Sequence, residues 1–170
     1  MDYQQIVAVT DVDAQNGQLN ACYAATLWDA SALAKPKTEH YRTQINPDLE
    51  HGPHQYLKAH ISVKKRRAIA AIRTGSHHLI IETGRWSVNG GERIPREERL
   101  CQCCDMHLVE DEHHALQQCP AYAIVRVAHA DLRCSDIPLH QLLVSPMVAR
   151  LGSYILQVSA TRVSLLGQGI

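Results

Sequence analysis

Hydrophobic residues recur at helical spacing along much of the chain, and turn-forming residues separate the periodic segments. The Ala-rich segment 19–34 predicts a helix that ends before Lys35-Pro36. Segment 63–74 predicts another helix, because Ser62 suits its N-cap and Gly75 its C-cap. The pattern predicts a mainly α protein, a small helical domain with little or no sheet.

Shorter segments complete the predicted order of elements. A turn of helix is expected near Tyr41, and residues 79–82 are compatible with either a strand or a helical turn. Pro146 suits the first turn of a final helix. The remaining predicted helices are 54–61, 121–133, 137–144 and 147–165, the last with an apolar stripe of Val148, Leu151, Ile155, Val158 and Val163.

These elements predict three regions. Residues 1–18 end in an Asn-Gly turn and are expected to be poorly ordered, 19–60 form a helical connector, and 61–170 hold a basic helix, a Cys/His segment (99–120) and the C-terminal helices. No run approaches the roughly 18 apolar residues of a membrane span. The start does not resemble a signal peptide, so we expect an intracellular protein, nuclear or cytoplasmic, without membrane contact.

Charge is unevenly distributed in this chain of 170 residues, although its net charge is zero and Phe is absent. Residues 61–99 carry 9 Lys/Arg against 4 Asp/Glu, so they form a basic island. Such an island is compatible with an anionic partner or with a solvated helix face. Its cations are Lys64, Lys65, Arg66, Arg67, Arg73, Arg85, Arg93, Arg96 and Arg99.

Four of the six cysteines lie within nineteen residues, interleaved with histidines. Cys101-x2-Cys104 is followed by nine residues and then by His114-x4-Cys119. Zinc takes four tetrahedral N/S ligands, a C-x2-C turn directs two thiolates to one point, and a helical turn would bring His114 and Cys119 together. Asp111 can cap that turn. The spacing therefore predicts one structural zinc ion in a CCHC knuckle.

Alternatives remain open at two ligand positions of this segment. Cys103 competes with Cys104 as a ligand, although C-x-C matches known zinc turns less well, and His113 or His107 could replace His114. Buried thiols and surface histidines without a metal are the plain structural alternative. Four protein ligands would leave no open position for water, so we expect no catalysis at this site.

Three runs carry a resemblance to a known family: RRAIAAIRTGSHHLIIETGRW, IPREERLCQCC and VEDEHHALQQCPAYAIVR. They resemble the C-terminal zinc-binding region of reverse transcriptase polyproteins from non-LTR (LINE-like) retrotransposons. The clear resemblance covers about residues 60–165. The matching residues are Ser76, His77, Leu79, Ile81, Glu82, Gly84, Arg85, Arg99, Cys101, Cys104, Glu110, Asp111, Glu112, His114, Cys119, Pro120, Tyr122 and Arg126.

The resemblance favours Cys104 over Cys103 and His114 over His113 as ligands. It departs from the family at Ala115, a position that is usually aromatic there. It implies a non-catalytic module, since no polymerase or endonuclease motif is present, and contact with template RNA or target DNA. The expected contacts are Lys64, Lys65, Arg66, Arg67, Arg73, Arg85, Arg96 and Arg99.

Trp86 beside Arg85 could stack on a base, although core packing is its commoner role. A module that docks on the remainder of a retroelement polyprotein, without binding nucleic acid, is the alternative. A redox or metal-handling protein is a weaker third. No small-molecule substrate is expected.

Overall fold

The computed structural model describes residues 41–47, 54–86 and 92–167. The chain divides into two compact units, residues 1–43 and 44–170, and the following account concerns the second. The described residues are mainly helical and contain no strand, only one isolated antiparallel bridge between Leu100 and Val109. The predicted mainly α class is confirmed, whereas the predictions for 1–18 and 19–34 fall outside the described residues.

The described part of the chain contains α1 (Gln55–Lys58), α2 (Val63–Thr74), α3 (Ile80–Thr83), α4 (Ala123–Ala128), α5 (Leu139–Leu143) and α6 (Val148–Gly167). π-Helical turns form at Tyr41–Ile45 and His114–Gln118, and 3-10 turns at Arg96–Glu98, Pro120–Tyr122 and Ala130–Leu132. None of the helices in these ranges is both long and apolar enough to cross a membrane. Segment 79–82, which was ambiguous in sequence, is helical.

Helix α2 begins and ends where its capping residues predict. The Ser62 hydroxyl accepts a hydrogen bond from the Lys65 amide at 3.4 Å, which satisfies a donor that the first turn leaves unpaired. Gly75 adopts a left-handed conformation with φ 59° and donates to the carbonyls of Ala71 and Ile72. The prediction of this helix is confirmed at both ends.

The centre of the fold is the packing of α2 against α6. Ile69 and Ile72 of α2 are buried, as are Leu151 and Ile155 of α6. Gly152 permits the close approach, since a Cβ there would lie 2.6 Å from the Cβ of Lys65. Val148 and Val158 of the predicted stripe are also buried.

Val163 does not belong to that stripe, because its side chain is 70% exposed. It lies in the last turns of α6, beyond the buried Val158. The sequence period at this position does not coincide with the buried face of the helix, so this part of the prediction is wrong.

The continuous helix predicted over 121–133 is also wrong. The segment is divided into a 3-10 turn, α4 and a second 3-10 turn. The chain bends at His129, whose buried ring makes a 3.0 Å hydrogen bond to Gln157 and lies 5.5 Å from the ring of Tyr154. Tyr122 and Leu132 of the predicted apolar face are buried. The contacts of His129 replace helix continuation at this point.

Candidate metal centre

A tight loop between residues 101 and 108 positions the first pair of thiols. The Cys101 amide donates to the Leu108 carbonyl at 2.8 Å, and the Glu110 amide donates to the Arg99 carbonyl at 2.9 Å. His107 turns the chain with a positive φ of 53°, a conformation in which histidine is enriched among non-glycine residues. This closed loop holds Cys101 and Cys104 on the same short turn.

A π-helical turn positions the second pair of side chains. The Asp111 carboxylate accepts a 2.8 Å hydrogen bond from the His114 amide, so Asp111 caps the turn as the sequence predicts. The Cys119 amide donates to the His114 carbonyl at 2.7 Å, which closes the i to i+5 turn.

The type of turn corrects the sequence prediction. Five residues of an ordinary α-helix, at about 100° each, rotate about 140° past one full turn, so His114 and Cys119 would point apart. The wider π-turn returns residue i+5 to nearly the same side. The prediction that an ordinary helical turn brings His114 and Cys119 together is therefore wrong.

The loop and the π-turn bring four potential ligands together. The ligand atoms of Cys101, Cys104, His114 and Cys119 all lie within 4.8 Å of one another. The Sγ atoms of Cys101 and Cys119 are 3.8 Å apart, and the Sγ of Cys104 is 3.4 Å from Nε2 of His114. All four are buried except Cys104, which is half-buried. These residues lie close enough to hold a metal ion.

The alternative ligands lie in different surroundings. Cys103 forms a second close group with Cys101 and Glu110, but both oxygens of Glu110 already accept hydrogen bonds. The Cys103 amide donates to the Cys101 sulfur at 3.4 Å, a contact that supports a ligand without replacing it. His113 and His107 are exposed.

Burial affects the protonation of Cys101, Cys119 and His114. It raises the pKa of the Cys101 and Cys119 thiols and lowers the pKa of the His114 imidazole. Each shift disfavours the charged form of a group removed from water. A metal cation reverses this preference for the thiols, since a coordinating thiol loses its proton, and a neutral imidazole is the form that binds metal. The group is thus suited to a cationic occupant.

Buried polar contacts connect this centre to the helices. Arg162 of α6 donates two 2.8 Å hydrogen bonds to the carboxylate of Glu110, which also accepts the Ile80 amide at 2.8 Å. Arg126 donates to the carbonyl of Cys119 at 2.7 Å. Sequence reasoning missed the role of Arg162, because its partner lies 52 positions away and no local pattern links them.

A second buried pair joins Glu112, which lies just before the π-turn, to His77. Nε2 of His77 is 2.8 Å from a carboxylate oxygen of Glu112, and both side chains are nearly inaccessible to water. His77 and Glu112 lie in the runs RRAIAAIRTGSHHLIIETGRW and VEDEHHALQQCPAYAIVR, so these runs carry structural residues as well as candidate ligands.

The predicted nucleic-acid contacts divide into exposed and engaged cations. Lys64, Arg67 and Arg96 are exposed, and Lys65 is half-buried. Arg66 donates to the carbonyls of Tyr56 and Ala59. The structure thus presents part of the basic island to solvent and uses part of it internally.

Three of these cations are committed to internal contacts. Arg99 donates to the carbonyls of Ile81 and Ile94 at 3.0 and 2.9 Å, and Arg85 pairs with Glu82 at 3.2 Å. Arg73 is only 2% exposed and donates to the Leu143 carbonyl. The assignment of Arg73 to a surface contact is therefore not compatible with its position.

Trp86 lies on the surface, with 68% of its side chain exposed. The expectation that it packs in the core is wrong. An exposed indole beside a basic segment leaves base stacking open as a role.

Fold and site together define a mainly helical protein with a candidate Cys3His metal centre. Comparisons of the chain with protein-family models, with curated proteins and with solved structures give no match.

Proposed function

We propose that Cys101, Cys104, His114 and Cys119 bind one structural zinc ion. Ligands at zinc–sulfur distances of about 2.3 Å and zinc–nitrogen distances of about 2.0 Å form tetrahedral edges of about 3.8 Å between sulfurs and about 3.5 Å between sulfur and nitrogen. The observed separations of 3.8 Å and 3.4 Å support this assignment. This agreement is the single observation that carries the proposal.

The proposed ion has a structural role. Three thiolates and one imidazole complete a tetrahedral shell, so no position remains for water or substrate. Such a site stabilises the fold that forms around it, because the ligands are separated in the unfolded chain. We therefore propose a non-catalytic module.

Metal content of ligand variants tests this assignment. We expect one zinc per chain in the unmodified protein, measured by elemental analysis after dialysis against metal-free buffer. Cys101→Ser and Cys119→Ser should lose the metal, because each removes a buried thiolate ligand. Cys103→Ser is the matched control and should retain it. A well-folded, metal-free protein would refute the assignment.

We further propose that the chain is the C-terminal module of a retroelement reverse transcriptase and contacts template RNA or target DNA. The matched motif residues around the metal centre and the exposed cations Lys64 and Arg67 support it. Exposed cations bind phosphates with strong dependence on salt and little dependence on sequence. Trp86 offers an exposed ring for an unpaired base.

Charge reversal tests nucleic-acid binding. Lys64→Glu/Arg67→Glu changes two exposed cations that make no hydrogen bond or ion pair with the described residues. We expect the affinity for single-stranded RNA or DNA to fall at least tenfold near 0.1 M salt, in a filter-binding assay, because phosphate contacts are lost. The Lys58→Glu/Arg133→Glu variant changes net charge equally at exposed sites outside the basic island and should bind nearly as the parent does. Equal affinities of parent and island variant would contradict the proposal.

A protein-docking module is the second candidate, favoured by a separate observation. Ile124 and Val127 of α4 are 84% and 77% exposed, and several cations of the basic island serve internal contacts. A module of this kind would dock on the polymerase core and bind nucleic acid only weakly. Weak binding that does not respond to salt would favour this function over the first.

A further inference from the structure

A cavity of about 360 Å³ lies beside the metal centre, between α2, α6 and the π-turn. This volume is near the lower end of the range of about 300–1,000 Å³ found for small-molecule sites. Its walls are aliphatic rather than aromatic. The main wall residues are Ala68, Ala71, Ile72, Leu116, Ile155 and Leu156.

The polar groups in the cavity interior are mostly bonded to the protein, whereas His78, which also lines the cavity, is exposed to solvent. Arg162 contributes to the wall, but its guanidinium is held by Glu110, and His77 is paired with Glu112. The Ser159 hydroxyl donates to the Ile155 carbonyl at 2.9 Å. The interior therefore offers little to a ligand that needs hydrogen bonds.

Two cationic side chains line the same cavity. Because both are exposed to solvent, they lie at the opening of the cavity. They are Lys64 and Arg67, on successive turns of α2. Neither makes a hydrogen bond or an ion pair with the described residues. The opening thus carries positive charge that no described group neutralises.

We infer that this cavity binds a single-chain amphiphile with an anionic head, a free fatty-acid carboxylate. The alkyl chain occupies the aliphatic interior, where its apolar surface leaves water, and the carboxylate lies between Lys64 and Arg67. A nucleobase fits less well, because its polar edges would be buried without partners. This site goes beyond the proposed zinc and nucleic-acid functions and does not depend on them.

Calorimetric titration of the whole chain, as purified, tests the ligand class. Dodecanoate, dodecanol and dodecyltrimethylammonium share one chain length and differ in head charge. The two ionic ligands are titrated below their micelle concentrations and dodecanol below its solubility limit. We expect one molecule of dodecanoate per chain, bound at least tenfold more tightly than dodecanol and with no measurable binding of the cation. Equal binding of all three, or no binding of dodecanoate, overturns the inference.

Two kinds of variant locate the ligand. Ala71→Leu fills the cavity and should weaken dodecanoate binding at least tenfold, whereas Ala70→Leu, on the same helix but outside the cavity wall, should not. Ala68→Leu provides a second filled cavity if the first variant fails to fold. Lys64→Ala/Arg67→Ala should reduce the preference for dodecanoate over dodecanol. Unchanged binding in the folded cavity-filling variants overturns the site.

Nucleic-acid affinity of the same variants separates the two proposals. Ala71→Leu retains Lys64 and Arg67, so it should lose dodecanoate binding while keeping nucleic-acid binding. Loss of dodecanoate binding in Ala70→Leu, with Ala71→Leu unaffected, contradicts the cavity and leaves the nucleic-acid proposal standing.

Discussion

Glu110 fixes the candidate metal-binding segment (residues 101–119) to the last helix, α6. It is completely buried and accepts the guanidinium of Arg162 as well as the Ile80 amide. The hydrogen bonds to Glu110 raise the pKa of Arg162, so its guanidinium stays charged. A buried carboxylate that loses its cation keeps its desolvation cost without compensation. Glu110 is therefore sensitive to any change at Arg162.

Arg162→Ala should lower the free energy of unfolding by about 3 kcal/mol, because it leaves a buried charge without its cation. Urea denaturation followed by circular dichroism measures the change. The matched control is Arg150→Ala, whose two 2.8 Å hydrogen bonds reach Asp131 in an exposed setting. That control should change stability little, since water screens exposed pairs. Equal losses of unfolding free energy in Arg162→Ala and Arg150→Ala would show that burial does not determine how strongly the Arg162–Glu110 pair stabilises the fold.

Arg73 shows at the same scale what a local sequence pattern cannot reveal. Its position on α2 resembles that of its exposed neighbours, yet its guanidinium donates to Leu143, seventy positions away, and to the ring of His54. It also lies over the Tyr56 ring, 5.9 Å from the centroid, where a cation is favoured. The sequence predicts a surface contact for Arg73, because the partners that bury it are distant in the chain.

At the scale of elements, a prediction from sequence is accurate where the interactions that decide the structure join residues close together in the chain. Both ends of α2 follow from Ser62 and Gly75, which act within one turn of the residues they cap. The break in 121–133 depends on the contact of His129 with Gln157, 28 positions away. Periodicity predicts a helix there, but it carries no information about a tertiary contact that interrupts it.

The spacing of the candidate ligands predicts the π-turn at His114–Gln118 only in part. The candidate ligands and Asp111 as a cap follow from the sequence. The i to i+5 geometry does not, because helical propensity favours the narrower turn and only the approach of His114 to Cys119 requires the wider one. The sequence therefore identified the grouped side chains more accurately than the backbone that groups them.

At the scale of the whole molecule, the candidate metal-binding segment (residues 101–119) contacts helices that are remote from it in sequence. The Tyr154 hydroxyl of α6 donates to the Leu116 carbonyl in the π-turn. The side-chain Nε2 of Gln117 donates to the Ile137 carbonyl at 2.7 Å, just before α5. Disorder in the loop would remove partners from each of these contacts. We expect the proposed metal to stabilise the compact unit of residues 44–170 as well as its own loop.

Removal of the metal should therefore destabilise the helical unit as a whole. With free zinc about 1,000-fold above its dissociation constant, binding to the folded state alone contributes about 4 kcal/mol, and chelation removes this amount. Thermal unfolding with and without a chelator, followed at the helical signal, measures the effect, and restored zinc should reverse it. Cys103→Ser should respond to the chelator as the parent does. Cys119→Ser should melt at the lower temperature in either condition, because it already lacks a ligand. A single melting temperature shared by metal-loaded and chelated protein would mean that the four side chains cluster without a metal, held by the contacts of Glu110, Gln117 and Tyr154 alone.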